Sequence, residues 1–252
     1  MRRKKISILL IILIFLLNNS KIKGEIIKLV DIPTAKTILR GYYNIDFVAY
    51  GGGGVQTKVM MGLTDRLTLG VSEDIGRAIG NQTADWNIPG VSAKLNIIYP
   101  DMDKIGVAVG YDSLLTGEYG KCYNNQLTDD VVYGLYVTFS KPVHLFTGEQ
   151  YWHFGARFPL LPFEARKKGK NISLFSGLNI IVSDEIMLIG EIENIYLSGN
   201  RNKEILYNAA LRYSFNESLS VGVTFQYTSS RDINPTDKAS RSIFIEYQNI
   251  FY

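Results

Sequence analysis

Ten ionisable residues of this chain lie where they could act on a small molecule. Nine carry charge and occupy alternate positions in otherwise apolar segments, and the tenth is a histidine. Alternate side chains of a β-strand share one face, so this spacing places the ten on a common polar surface. The residues are Arg40, Asp46, Lys58, Lys94, His153, Arg157, Glu191, Glu193, Arg212 and Glu246.

Such a surface supports two kinds of chemistry. Rings of charge select ions in a pore, whereas opposite charges on neighbouring strands pair with each other and fill the space between them. Glu191 or Glu193 would meet Arg212 on the next strand, and Glu246 would meet Arg40 where the last strand closes on the first. Because the two signs are interspersed, we favour pairing, with which a narrow and weakly selective pore remains compatible.

Catalytic and metal chemistry find little support in the sequence. A membrane-embedded hydrolase needs a nucleophile beside a base, but His153 is followed by Phe154 and Gly155 and lacks a His-x-Ser arrangement. His144 falls in a predicted turn, and the single cysteine, Cys122, is predicted to be a free thiol in a loop. We therefore predict no catalytic residues, no metal site, no cofactor and no enzymatic activity.

The segments that carry these charges alternate between apolar and polar side chains. Gln56, Lys58 and Met60 alternate with Val55 and Val59, and similar segments recur to the end of the chain. This period of two predicts strands with a different environment on each face. We count about twelve strands; ten or fourteen remain open, because residues 172–196 alternate less cleanly and residues 144–151 fit a turn or a strand.

The connections between these segments alternate between short turns and longer loops. Short turns follow at 64–66, 100–103, 140–144, 183–185 and 216–218, and longer loops fall mostly between them. Aromatic residues end the apolar faces on both sides, as in the two interfacial girdles of transmembrane barrels. A soluble β-sandwich or lipocalin-like barrel explains the alternation but neither the sorted loops nor the girdles. The pattern predicts an all-β fold: one antiparallel up-and-down transmembrane barrel with both termini in the periplasm.

The chain begins with a signal for export. Four basic residues precede an apolar run over residues 6–17, which is too short to cross a bilayer as a helix. The leader holds six of the 27 basic residues and no acidic ones, which leaves 21 basic against 24 acidic residues in the mature chain. That balance argues against a nucleic-acid partner. We assign 1–24 to a signal peptide, 25–36 to a periplasmic segment and 37–252 to the barrel.

The segment before the barrel contains Asp31, Ile32, Pro33, Thr34 and Ala35. It either plugs the barrel or docks a partner, unless it is a plain entry segment in which proline prevents early strand pairing. This motif, together with residues 62–70 and 89–94, resembles the YjbH-like outer-membrane barrels. The resemblance implies a barrel and an association with exopolysaccharide secretion, and it supplies no site residues.

The predicted location is the outer membrane of a Gram-negative-type bacterium. Three functions are compatible with the sequence: a narrow porin-like channel for small hydrophilic solutes, among them saccharides; a non-conducting accessory protein of envelope or exopolysaccharide export; and an outer-membrane hydrolase. We favour the channel. The expected partners are outer-membrane lipid and lipopolysaccharide, the barrel-assembly machinery during biogenesis, and a polysaccharide or small solute.

Overall fold

The strands form one closed antiparallel barrel. The computed structural model describes residues 26–81, 83–87, 89–101, 103–113, 134–143, 150–159, 172–196, 205–229 and 239–251. Within these ranges twelve long strands form the barrel, β4 is a two-residue addition to β3, and one 3-10 turn, Gly51–Gly53, joins β1 to β2. The strands are β1 (Tyr42–Tyr50), β2 (Gly54–Thr64), β3 (Leu67–Gly76), β4 (Asp85–Trp86), β5 (Gly90–Ile98), β6 (Gly106–Asp112), β7 (Gly134–Val143), β8 (Gln150–Pro159), β9 (Ser173–Ile181), β10 (Ile186–Tyr196), β11 (Leu206–Ser214), β12 (Leu219–Thr228) and β13 (Ala239–Ile250).

The barrel closes between its first and last strands. β1 pairs with β13 from Tyr42 opposite Ile250 to Tyr50 opposite Ser242, while its other edge pairs with β2. Each remaining long strand pairs with the next long strand along the chain, which is the up-and-down order. The predicted all-β barrel of about twelve strands is confirmed. A closed ring leaves no edge strand unpaired, which a membrane-spanning sheet requires.

The outer surface is apolar and the inner surface polar. Val71, Leu95, Leu135 and Ile243 are among the large apolar side chains exposed on the outside. Tyr99, Phe215 and Phe251 are exposed at the short-turn end, and Phe47, Phe158 and Tyr227 towards the opposite end. No helix of the described residues has the length and apolar character to span a bilayer.

The weak alternation in residues 172–196 has two physical causes. These residues form β9 and β10, and the β10 register against β9 shifts between Ile192 and Ile195, which changes the face that later side chains occupy. In addition, inward positions of these strands carry Phe175, Met187 and Ile189 instead of polar residues. Apolar residues therefore lie on both faces, and the period of two is weakened.

The N-terminal segment lies inside the barrel, which corrects its assignment to the periplasm. Residues 26–38, hereafter the plug, occupy the lumen, with Ile32, Thr34, Ala35 and Ile38 at most 1% exposed. The predicted alternative of a plugged barrel is therefore the observed one. β1 begins at Tyr42, not at residue 37, because the chain must first leave the lumen through a turn that contains Gly41 at φ +82°.

Arg40 also departs from its predicted place. It lies in this exit turn, exposed, and its backbone N–H donates to Asp65 Oδ1 at 3.1 Å. It lies outside the lumen because β1 starts two residues later. The predicted signal peptide, Cys122 and His144 lie outside the described residues.

Candidate functional site

The plug is a hairpin that enters and leaves at the short-turn end of the barrel. Lys28 and Pro33 form an antiparallel bridge, and the N–H of Leu29 donates to the carbonyl of Ile32 at 3.0 Å. At the exit, the Thr37 hydroxyl donates to the Asp65 carbonyl in the β2–β3 turn at 2.9 Å. The tip of the hairpin, residues 29–32, reaches the middle of β10.

Glu191 on β10 holds this tip. Its carboxylate accepts the backbone N–H groups of Val30, Asp31 and Ile32 at 3.1, 2.8 and 3.3 Å. Consecutive N–H groups that converge in this way form an anion-binding nest. The Asn208 amide donates to the same carboxylate at 2.6 Å. The Glu191 carboxylate thus accepts hydrogen bonds from three backbone N–H groups of a turn that is buried in the lumen.

Arg157 on β8 links the tip to the wall. Its guanidinium donates to Glu193 at 2.7 Å and to the Asp31 carbonyl at 2.7 Å. The Asp31 carboxylate accepts from Gln226 at 3.0 Å and pairs with Lys28 at 3.3 Å. All these groups are buried or nearly so, and a buried charge is tolerated when it is paired and hydrogen-bonded.

The carbonyls of the plug bind donors on the strands. Lys94 donates to the carbonyls of Ile27 and Lys36, the latter at 3.1 Å. Asn96 donates to the Ala35 carbonyl at 2.5 Å, and the Thr138 hydroxyl donates to the Pro33 carbonyl at 2.8 Å. These contacts place the plug against β5 and β7.

His153 belongs to a buried three-residue network. The Ala35 N–H donates to Ser140 Oγ at 2.8 Å, Ser140 lies 2.7 Å from His153 Nδ1, and His153 Nε2 lies 2.9 Å from Asn179 Oδ1. Because Asn179 offers a carbonyl oxygen, the ring proton fits Nε2 and the serine hydroxyl donates to Nδ1. The sequence pattern did not reveal this arrangement, since the serine and the histidine lie on different strands.

Apolar contacts complete the plug site. Leu29 and Ile32 pack against Phe175, Met187, Ile189 and Ala210 on the lumen wall. A Cβ added to Gly177 would come within 2.6 Å of Ile32 Cδ1 and 2.7 Å of Leu29 Cδ1. The absence of a side chain at Gly177 therefore provides room for the plug tip.

Three carboxylates come together in the tip region, as they do in many metal sites. Oxygens of Asp31, Glu191 and Glu193 lie within 4.8 Å of one another. Their contacts are with protein donors: the nest binds Glu191, the Arg157 guanidinium binds Glu193, and Lys28 and Gln226 bind Asp31. The described geometry thus uses the cluster to anchor the plug.

The opposite side of the lumen holds a cavity of about 60 Å³ between the plug and the wall. This volume has room for several water molecules or one small solute. Its lining mixes charges of both signs with apolar side chains from β1, β2 and β10–β13. The charged members are Lys28, Asp46, Lys58, Arg212 and Glu246.

A second, smaller cavity continues towards the short-turn end. It is lined by Ser214, Ser218, Ser220 and Gln248 among others, and it shares Arg212 and Glu246 with the first cavity. Arg212 and Glu246 form an ion pair. This pair therefore borders both cavities.

The structure divides the predicted residues into three groups. Lys94, His153, Arg157, Glu191 and Glu193 contact the plug or the network beneath it, Asp46, Lys58, Arg212 and Glu246 line the cavity, and Arg40 lies outside the lumen. The two predicted pairings are wrong: Glu193 pairs with Arg157 and Glu246 with Arg212. Sequence reasoning missed the uncharged partners Asn96, Thr138, Ser140 and Asn179. Ser140 fell in the turn predicted at 140–144, whereas β7 continues to Val143 and carries Ser140 on its inward face.

Comparison with known proteins identifies similar solved structures only. No family model matches the chain, and no curated protein matches it. A structure described as the KdgM porin has 9% identity over 82% of this chain and 98% of its own, with a TM-score of 0.49. The COG4313 outer membrane channel from Pseudomonas putida F1 has 14% identity over 88% and 100%, with a TM-score of 0.48. The NanC porin has 11% identity over 83% and 100%, with a TM-score of 0.47.

Proposed function

We propose that the protein is an outer-membrane channel for small hydrophilic solutes, saccharides among them, and that the plug narrows its lumen. The observation that carries this proposal is the pair of charge-lined cavities that share the Arg212–Glu246 ion pair. Both cavities lie between the plug and strands β10–β13, and the second extends towards the short-turn end. Cavities of this kind suit solutes that exchange hydrogen bonds with mixed charges.

The distribution of charge supports weak ion selectivity. Lys58 and Arg212 face the cavity together with Asp46 and Glu246, so the wall contributes two charges of each sign. Nearby charges of both signs cancel at a distance and leave no ring of one sign. We therefore expect small cations and anions to cross at comparable rates.

The proposed function includes a location in the outer membrane and the partners that this location provides. An apolar exterior over a closed barrel is suited to the outer membrane, where the protein would contact lipid and lipopolysaccharide after insertion by the barrel-assembly machinery. The basic and apolar leader supports export with a cleaved signal peptide.

We further propose that the protein is not an enzyme. Ser140, His153 and Asn179 have the order of a nucleophile, a base and an orienting group. However, Ser140 Oγ already accepts a hydrogen bond from the Ala35 N–H, and all three side chains are buried. Neither cavity described above is lined by any of them. The purified protein should leave p-nitrophenyl esters uncleaved; hydrolysis that disappears in Ser140→Ala would contradict this part of the proposal.

A second candidate function is favoured by the plug itself. Buried ion pairs, hydrogen bonds and an apolar contact fill one side of the lumen, as suits a non-conducting accessory protein of envelope or exopolysaccharide export. This candidate agrees with the sequence resemblance to YjbH-like barrels.

Planar-bilayer conductance separates the two candidates. We expect the refolded full-length protein to show small, brief conducting states. Glu191→Ala removes the acceptor of three plug N–H groups and should lengthen these states, while Asp184→Asn in an exposed turn serves as the control. If neither the unmodified protein nor Glu191→Ala conducts, the channel proposal fails and the accessory role is favoured.

A further inference from the structure

The cavity wall carries a carboxylate, Asp46, and an ammonium group, Lys58, on neighbouring strands. Asp46 on β1 and Lys58 on β2 are directly opposite each other, so their Cβ atoms lie about 4.5–5.5 Å apart. Among the described residues, neither forms an ion pair within 4 Å, and Asp46 Oδ1 is a buried atom with no hydrogen-bond partner. The other cavity charges are paired, Arg212 with Glu246 and Lys28 with Asp31.

Asn44 adds a second unsatisfied acceptor on the same wall. Its side chain is 1% exposed and its amide nitrogen donates to Glu246 at 2.9 Å, but its carbonyl oxygen Oδ1 has no hydrogen-bond partner within the described part of the chain. A buried acceptor without a partner is costly, so such groups mark places where water or a ligand binds. Asn44 and Asp46 both line the cavity and occupy successive inward positions of β1.

The arrangement of charge defines the ligand. Asp46 is opposite Glu246 on its other side, so two carboxylates adjoin and the Asn44 oxygen lies on the same strand. These oxygens favour an ammonium group, whereas Lys58, which is only 3% exposed, favours a carboxylate. Val48 and Phe244 add apolar side chains to the lining, which suits a short carbon link between the two charges.

We propose that this cavity binds a small zwitterionic solute, such as a short amino acid, with its ammonium group at Asp46 and Asn44 and its carboxylate at Lys58. The inference rests on the proposed channel function and narrows its solute class. A ligand with both charges supplies a donor for the unpartnered Asp46 and Asn44 oxygens and an anion for Lys58, whereas an anion, a cation or a neutral polyol makes fewer of these contacts. The lumen side chains are then a binding site on the path of the solute.

The test is calorimetric titration of the refolded full-length protein with glycine, acetate, methylammonium and glycerol. Glycine should bind at least about tenfold more tightly than each of the other three, because only glycine makes both charge-assisted contacts. Asp46→Asn and Lys58→Met should each weaken glycine binding about tenfold or more. Lys58→Arg keeps the cation and should retain most of the affinity, which separates lost recognition from misfolding.

A matched control is available in an exposed turn. The double variant Asp103→Asn/Lys104→Met removes one carboxylate and one ammonium group outside the lumen and should leave glycine binding unchanged. Equal binding of glycerol and glycine, or glycine binding unaffected by both cavity variants, would overturn the inference. Conductance without glycine binding would overturn the zwitterion site and support the channel function. Glycine binding without conductance would support the site and overturn the channel function.

Discussion

The two sides of the lumen treat their polar groups differently. On the plug side, formed by β5, β7, β8 and β10, Lys94, Arg157, Glu191 and Glu193 all bind the plug or a neighbouring charge. On the cavity side, formed by β1, β2 and β11–β13, Asp46 Oδ1 and Asn44 Oδ1 have no hydrogen-bond partner among the described residues, and one of them belongs to a charged side chain. The unpartnered groups on the plug side, Asn96 Oδ1 and the Gln150 amide, belong to uncharged side chains. The same alternation of polar residues has thus produced one side of the lumen that binds the plug and one side that is available to bind a solute.

This difference shows why inward charge alone does not identify a transport path. Charges whose partners are backbone groups of the plug hold the plug in the lumen. Their removal should lower the free energy of unfolding. Charges that line a cavity should affect stability less than the plug contacts do, and permeation more. Substitutions on the two sides can therefore be ranked, with the largest effect expected on the plug side.

Arg157→Met should be the most damaging change. It leaves Glu193 buried without its ionic partner and removes the donor to the Asp31 carbonyl. Breaking one partner out of a buried pair costs about 3–5 kcal/mol. Urea unfolding in lipid vesicles, followed by the fluorescence of Trp86 and Trp152, should show the loss.

The double variant Arg157→Met/Glu193→Leu provides the control for this prediction. It removes both charges of the pair, so it should recover part of the lost stability. A double variant as unstable as the single one would mean that Arg157 acts through its contact with the plug and not through Glu193.

Gly177→Val should displace the plug while leaving the strands paired. The new side chain would enter the space of Ile32 and Leu29, and overpacking of this kind costs roughly 2 kcal/mol, about thirtyfold in plug occupancy. Longer conducting states in planar bilayers are the expected result. Gly190→Val on the outward face of β10 is the matched control, because a Cβ at Gly190 meets nothing within 4 Å. Equal conductance in Gly177→Val and Gly190→Val would show that the plug does not control permeation.

Ser140→Ala should have a smaller effect on the same side. It leaves the buried Ala35 N–H without an acceptor and removes the donor to His153, at a cost of about 1–2 kcal/mol. Hydrogen exchange of the plug amides should accelerate, that of Ala35 most of all. Unchanged exchange at Ala35 would show that Ser140 does not hold the plug.

The sequence was sufficient to predict the barrel because each strand encodes its own two faces. Lys58, Lys94 and Arg212 lie inward as their alternation requires, since placing them in lipid would be costly. The same local rule failed for Arg40, where a tertiary feature, the return of the chain from the lumen, delays the first strand. Alternation describes residues within a strand and carries no information about a segment that enters the barrel from outside it.

The candidate site was less predictable for a related reason. Pairing depends on the reach of side chains across strands, so Glu246 forms its ion pair with Arg212 two strands away, while on β1 it accepts a hydrogen bond from Asn44 and does not pair with Arg40. The contribution of the plug was partly visible, because the inward Phe175 and Ile189 that weakened the pattern are the residues that Leu29 and Ile32 cover. An irregularity in the alternation was therefore a sign of the plug site.

Arg212→Met should affect permeation more directly than stability. The pair with Glu246 is 10% and 15% exposed, more open than the Arg157–Glu193 pair, and Glu246 keeps its hydrogen bond from Asn44, so we expect a smaller loss of stability than for Arg157→Met. Removal of the cation leaves Glu246 and Asp46 adjacent and makes the constriction more negative, so permeation should shift towards cations. Reversal potentials across a potassium chloride gradient would measure this shift, with Arg66→Met in the exposed β2–β3 turn as the control. A reversal potential that changes equally in both variants would place the ion path elsewhere and remove the distinction between the two sides of the lumen.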